Sequence, residues 1–209
     1  KSSMPQKKYF RSRAHCNPLS NNDGFEYPLR PVEMDWSPYY PGLEKPVVNF
    51  VDVGCGYGGL SIALASLYPD KVTLGMEIRP KVCEFVKLRT EALRKECPGS
   101  YENVSSCRTN CMRYLPNYFE KGQFDKMFFC FPDPHFKAKN HRRRIISDTL
   151  LTEYAYFLKP NARLYTITDV KDLHEWHVSK CDEHPLFVRL DDKDVLENDP
   201  AVKAMIEET

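Results

Sequence analysis

Three short segments of this 209-residue chain concentrate residue types that could do chemistry. In Val51-Asp52-Val53-Gly54-Cys55-Gly56-Tyr57-Gly58-Gly59, the glycines let a backbone turn tightly and approach a ligand closely. Gly54, Gly56 and Gly59 satisfy the dinucleotide spacing G-x-G-x-x-G, whereas Gly54, Gly56 and Gly58 satisfy G-x-G-x-G, so spacing alone leaves the ligand open. Glu77 follows roughly 20 residues later, where an acid at a strand end can accept hydrogen bonds from both hydroxyls of a ribose. Arg79 could lie across an adenine or simply solvate a helix start. The third segment is Phe131-Pro132-Asp133-Pro134-His135-Phe136-Lys137. Two prolines restrict the backbone around Asp133 and fix the direction of its carboxylate, which suits a reacting centre. The plainer alternative is a proline-fixed turn whose Asp caps the next helix.

The rest of the chain separates the two nucleotide-like ligands. No tyrosine has a lysine four residues later, so the Tyr-x-x-x-Lys pair of small dehydrogenases is absent. There is also no room for the separate substrate domain of larger ones. Asn110-Cys111, after the third predicted strand, suits an adenine edge. The ligand expected is the methyl donor S-adenosyl-L-methionine. The eight cysteines include no C-x-x-C pair and read as reduced thiols, mostly in the core. His174 and His177 are spaced for one helix face near Asp172, but no third ligand stands at telling spacing, so no metal is expected.

Net charge is only +1, yet the charges are segregated. Lys7, Lys8, Arg11 and Arg13 lie in an N-terminal stretch without acids up to residue 22, and Tyr9 and Phe10 sit between them. Lys137, Lys139, Arg142, Arg143 and Arg144 form a second basic run directly after Asp133, whereas residues 190–209 are strongly acidic. Two cationic stretches in a near-neutral chain suit an anionic partner, with phosphate contacts from Lys137 and Arg142 to Arg144 and base stacking from the arm. The absence of a membrane-length apolar run argues against a span, and the opening Lys-Ser-Ser suggests a piece of a longer chain.

These residues need elements to hold them. Strands are expected over 47–53, 71–78, 104–110, 125–131, 163–168 and 187–190, and helices over 59–68, 80–96, 112–119, 145–158 and 172–181. Leu173 and Trp176 should face the core. Strand and helix alternate, which predicts a Rossmann-like α/β fold with a mostly parallel open sheet and helices on both faces. In such a sheet ligands bind beyond the carboxyl ends of the strands, where all three segments fall. Residues 1–46, rich in proline and aromatics, are read as a basic arm ordered from about Tyr9, and residues 47–209 as the catalytic domain.

Gly-Cys-Gly-Tyr-Gly-Gly (54–59), Met-Glu-Ile-Arg (76–79), Phe-Pro-Asp-Pro-His-Phe-Lys (131–137) and Thr-Ile-Thr-Asp-Val (166–170) resemble the tRNA (guanine-N7-)-methyltransferases. Arg11-Ser12-Arg13-Ala14-His15-Cys16-Asn17-Pro18 and Glu183-His184-Pro185-Leu186-Phe187 look like the eukaryotic branch. The resemblance implies a class I methyltransferase fold and transfer of a methyl group to N7 of a variable-loop guanine in tRNA. It places Gly54, Gly56, Glu77, Ile78, Arg79, Asn110, Cys111 and Cys130 around the donor, with Asp133 as the active-site acid and Lys137 and Asp169 on the substrate. In the family a Thr-Glu-Glu-Gly segment adds to the donor pocket; Thr209 stands where its threonine would fall, and the glutamates and a final strand do not follow. A non-catalytic WD-repeat subunit and a nuclear location, with the cytoplasm second, are implied in the same way.

Guanine N7 carries a lone pair and no proton, so its methylation requires no base before attack, and the product ring is cationic. Asp133 is therefore expected to orient the guanine and offset the developing charge. Two rival readings are an amino-group methyltransferase and a non-catalytic RNA-binding subunit on a methyltransferase scaffold. Against the first, the corner lacks the adjacent prolines and following aromatic of those enzymes; against the second, the glycine loop, Glu77 and Asp133 are intact.

Overall fold

A computed structural model describes residues 4–20 and 24–209; residues 1–3 and 21–23, both within the stretch read as the basic arm, lie outside them. Five strands form one parallel sheet in the order β3-β2-β1-β4-β5. They are β1 (Phe50–Val53), β2 (Thr73–Glu77), β3 (Val104–Arg108), β4 (Phe124–Cys130) and β5 (Leu158–Ile167). The connecting helices are α1 (Gly59–Leu67), α2 (Pro80–Glu96), α3 (Cys111–Tyr118) and α4 (Asp148–Phe157), followed by α5 (Lys171–Glu183), α6 (Lys193–Asn198) and α7 (Pro200–Glu207). β1 is buried along its whole length because it has strands on both sides and helices on both faces. Strand order reverses beside it, which makes its carboxyl end the switch point where ligands bind in such sheets.

Alternate side chains of the central strands feed two cores. Val51, Val53, Leu74, Met76, Met127 and Phe129 pack with α3 and α4 on one face, and Phe50 and Phe128 pack with α1 and α7 on the other. Pro80 opens α2 at a position whose amide needs no partner. Asn110 and Ser147 cap α3 and α4 by accepting from Met112 N (3.1 Å) and Leu150 N (3.3 Å).

Three expectations shift. The helix predicted over 145–158 starts at Asp148, because Ser147 caps it in an extended conformation and Ile146 is buried ahead of the cap. β5 begins at Leu158 rather than 163, pairing Leu158 with Phe124 ahead of an irregularity in register. Residues 187–190 form no strand: Val188 and Leu190 are exposed, and only Phe187 packs on the core. The acidic tail instead folds as α6 and α7. Asp199 caps α7 and accepts from Tyr165 Oη (2.6 Å) and Arg163 Nη1 (2.8 Å) on β5. Leu173 is buried, while Trp176 is half-buried with its indole donating to Ile146 O at 2.8 Å.

Several aromatic residues of the N-terminal stretch lie against the domain. Its 3-10 turn Lys7–Phe10 sets Phe10 edge-on against Phe85 at 5.5 Å. Tyr27 stacks on Tyr114 at 4.2 Å and Trp36 on Phe119 at 5.8 Å, while Tyr40 is fully buried and donates to Thr73 O. Aromatic area, rather than backbone pairing, fixes this segment.

Candidate active site

At the carboxyl ends of the strands lies a cavity of about 190 Å³ that the glycine loop, the ends of β2 and β3 and the loop after β4 enclose together. Gly54, Gly56 and Gly58 all have positive φ (74°, 53° and 77°), as the tight loop requires. Gly54 N donates to Met76 O at 2.7 Å, which ties the loop to β2. A Cβ at Gly54 would meet no atom within 4 Å, so space is left beside the cavity, whereas one at Gly58 would sit 2.8 Å from Val86. The first glycine keeps a ligand space open, and the third lets the loop at the start of α1 pack closely against Val86 of α2.

Glu77 is 3% exposed, and its carboxylate is fully engaged. Oε2 accepts from Gly56 N (3.1 Å) and Arg79 Nη2 (2.9 Å), and Oε1 accepts from Arg79 N and Nε (both 2.9 Å). Arg79 therefore folds onto Glu77 rather than extending over an open adenine position. Its pKa is raised, chiefly by this hydrogen-bonded pairing. Beneath the loop, Asp52 is buried in β1 and accepts from Ser61 Oγ at 2.7 Å; burial lifts its carboxyl to about 6.

The opposite wall is the loop after β4. Phe131 N donates to Ile167 O at 2.8 Å, extending the β4–β5 ladder up to the turn. Phe131 and His135 both have positive φ (48° and 45°), so each flank of Pro132-Asp133-Pro134 is in a region that side chains rarely adopt. Asp133 Oδ1 accepts from His135 N at 3.1 Å, and Oδ2 lies 2.7 Å from His15 Nδ1. The carboxylate thus caps its own turn and also faces the rim. Burial lowers the pKa of His135, with Asp133 opposing the shift.

The arm bridges the two walls. Ala14, Cys16 and Pro18 line the cavity, His15 reaches Asp133, and Pro18 O accepts from Asn110 Nδ2 at 2.6 Å. The Arg-Ala-His segment carried a resemblance in sequence, but nothing in its spacing announced that it would border the site.

Gly54, Glu77, Ile78, Arg79, Asn110, Cys111, Asp133 and Arg143 all line this cavity. Gly56 stands behind Gly54, bonded to Glu77. Cys130, Lys137, Arg142, Arg144, Asp169 and Thr209 are not among its lining residues. Cys130 ends β4 and packs toward the α1–α7 core, where burial raises its thiol pKa. Thr209 is exposed and its hydroxyl donates back to Met205 O, while Glu208 O abuts the Gly59 position at the start of α1. Lys137, Arg142 and Asp169 are exposed outside the cavity.

Arg144 needs correction as a phosphate contact. It is 4% exposed, donates from Nε to Pro134 O at 2.9 Å, and lies 4.7 Å over the Trp176 ring. The 3-10 turn Ala138–Arg143 orients successive cations differently: Arg142 to solvent, Arg143 to the cavity, and the residue after the turn inward. Phe131, Pro132, His135, Ile145, Met76, Thr109 and Met112 also line the cavity and were not named as site residues from sequence; of these, Met76, Phe131, Pro132 and His135 stood within motifs already quoted, and Thr109, Met112 and Ile145 did not. Among the described residues no group of three His, Cys, Asp or Glu is gathered for a metal, and no helix is long and apolar enough to cross a membrane.

Residues 46–209 match a family model described as "Putative methyltransferase". The tRNA (guanine-N(7)-)-methyltransferase of Schizosaccharomyces pombe is 53% identical over 99% of this chain and 78% of its own length. That of Caenorhabditis elegans is 54% identical over 99% of this chain and 81% of its own, and that of Aedes aegypti 51% over 92% and 78%. With half its residues identical to these relatives almost end to end, and the glycine loop, Glu77 and Asp133 meeting at one cavity, the chain belongs to the tRNA (guanine-N7-)-methyltransferase family.

Proposed function

We propose that this chain transfers a methyl group from S-adenosyl-L-methionine to N7 of a variable-loop guanine in tRNA. The carrying observation is that a carboxylate fixed between two prolines faces the same cavity as the glycine loop, Glu77 and Asn110. The relatives' shared activity supports the substrate.

The donor fits the residues present. Gly54 leaves room where a side chain would stand, and Glu77 and Asn110 offer polar groups suited to ribose and adenine. When bound, it supplies an electrophilic methyl on a sulfonium. Admitting a ribose at Glu77 requires Arg79 to yield at least one of its bonds, because four donors already occupy the carboxylate.

On the acceptor side Asp133 takes hydrogen bonds from guanine N1–H and the exocyclic amine in this reading. Its negative charge offsets the positive charge that grows on the ring. N7 has no proton to remove, so Asp133 orients and stabilises. Lys137, Lys139 and Arg142 supply exposed cations for phosphates beside the target base. Asp169 follows β5 on the same side of the sheet, as a further substrate contact. A WD-repeat subunit and work in the nucleus complete the proposal and rest on the eukaryotic character of the sequence.

The test is direct. Wild-type protein, with and without a co-expressed WD-repeat subunit, is incubated with tRNA and donor, and N7-methylguanine is mapped by borohydride reduction and aniline cleavage. Cleavage at one variable-loop guanine is expected. Donor binding by calorimetry without methylation of any tRNA would overturn the proposed substrate.

A further inference from the structure

We infer that Phe131 supplies the aromatic face against which the target guanine stacks, and that its ring stabilises the cationic purine formed on methylation. The inference rests on the guanine-N7 reading above and deepens it by assigning a residue to the reaction.

Four observations converge. Among the described residues lining the cavity, Phe131 alone carries a benzene ring. It is 44% exposed, although Phe128 and Phe129 just before it are fully buried. Its φ of 48° is unusual for a bulky side chain. The backbone is pinned on both sides of that strain, by the Phe131 N–Ile167 O bond and by the Pro132-Asp133-Pro134 turn that follows. A strained, exposed apolar ring does little for the fold; glycine would adopt this φ freely and expose no apolar area. Strain held in this way at a ligand cavity points to a role in function.

The ring lies two residues from Asp133, so a purine whose edge meets the carboxylate can present its face to Phe131. The π face of benzene is negative and attracts cations. Neutral guanine gains ordinary stacking from it, and the ring bearing partial positive charge in the transition state gains more. An interaction that grows toward the transition state raises kcat rather than only lowering KM.

Phe131→Leu keeps apolar bulk and removes the quadrupole, and it is expected to lower kcat about tenfold with donor affinity unchanged. Phe131→Tyr and Phe131→Trp should restore most of the rate. Phe131→Gly relieves the backbone and is expected to raise Tm while lowering kcat further, a dissociation that a packing role would not produce. Ring-fluorinated phenylalanines at this site should lower kcat stepwise as fluorine count rises. A Phe131→Leu enzyme with wild-type kcat, or a fluorination series without slope, overturns the inference while wild-type methylation at guanine N7 leaves the proposed function standing. Loss of donor binding in Phe131→Leu also overturns it, by assigning the ring to the donor pocket.

Discussion

The two walls of the cavity are built on opposite principles. The donor-side wall is closed on itself: Glu77 is buried, its oxygens are shared between Gly56 and Arg79, and its strained backbone positions are glycines that adopt them without penalty. The acceptor-side wall is open and held under tension. There the positive φ values fall on Phe131 and His135, Asp133 is partly exposed, and Arg144 props the turn from below through Pro134 O. A small cosubstrate can be recognised by a preformed, hydrogen-bonded groove. A base presented by a large RNA needs an accessible rim whose groups are aimed in advance, and backbone strain is one way to aim them.

The largest effect that could break this contrast is at the two acids. Glu77→Ala leaves Arg79 half-buried without its partner and should destabilise the fold by about 3–5 kcal/mol while abolishing measurable donor binding. Asp133→Asn should leave Tm and donor affinity unchanged and lower kcat about 100-fold. Calorimetry, thermal melts and single-turnover methylation separate the two, and equal loss of donor binding in both variants would erase the distinction between the walls.

Next come the cations of the corner. Arg144→Ala should lower stability by about 1–3 kcal/mol, because it removes a bond to Pro134 O and the stack on Trp176, with little change in the salt slope of tRNA binding. Arg142→Ala should keep stability and reduce that slope by about 1. A reversed pattern would place the buried arginine on the RNA. Among the glycines, Gly58→Ala meets Val86 at a positive φ and should lose about 1–2 kcal/mol in chemical denaturation. Gly54→Ala meets no such clash, so its larger defect should appear in donor affinity.

The smallest effect concerns pH. Asp52 titrates near 6 in the fold, above its ordinary 3.8, so the folded state holds its proton more tightly, and stability from this group falls as pH rises from about 4 to 6. His177, buried behind β5 against Thr166, is depressed to about 4 from 6.5 by burial, so its contribution is lost as pH falls through the same window. The two slopes oppose each other. Asp52→Asn should therefore leave a stability profile that rises more steeply between pH 4 and 6 than wild type, as read from denaturant midpoints.

The sequence disclosed these walls unequally. Strand and helix periodicity, Pro80, and the glycine loop beside Glu77 located the sheet and the donor side, because those signals are local and repeat known backbone geometry. The same logic failed for Arg144, since a run of like cations carries no mark of which member a 3-10 turn rotates inward. Residues 187–190 looked like a strand in composition but have no ladder to join, and the tail's helices depend on Asp199 meeting Tyr165 and Arg163 on a distant strand. The arm's passage across the cavity, through His15 to Asp133 and Pro18 to Asn110, is long-range contact that no spacing encodes. Phe131 was visible as a letter in a motif, whereas its strain and exposure belong to the three-dimensional turn alone.

The central place of β1 also shapes how the molecule comes into being. Its partners are β2, which follows soon after it, and β4, which follows only after β2, α2, β3 and α3 have been made. A chain emerging from the ribosome at about 5–20 residues per second therefore exposes one apolar edge of its glycine-bearing strand for several seconds. Parallel pairing across so long a loop is intrinsically slow, and an unpaired edge invites association with other chains. Refolding of the isolated protein should accordingly be slow and concentration-sensitive, with chaperones acting on the interval before Phe124–Cys130 docks.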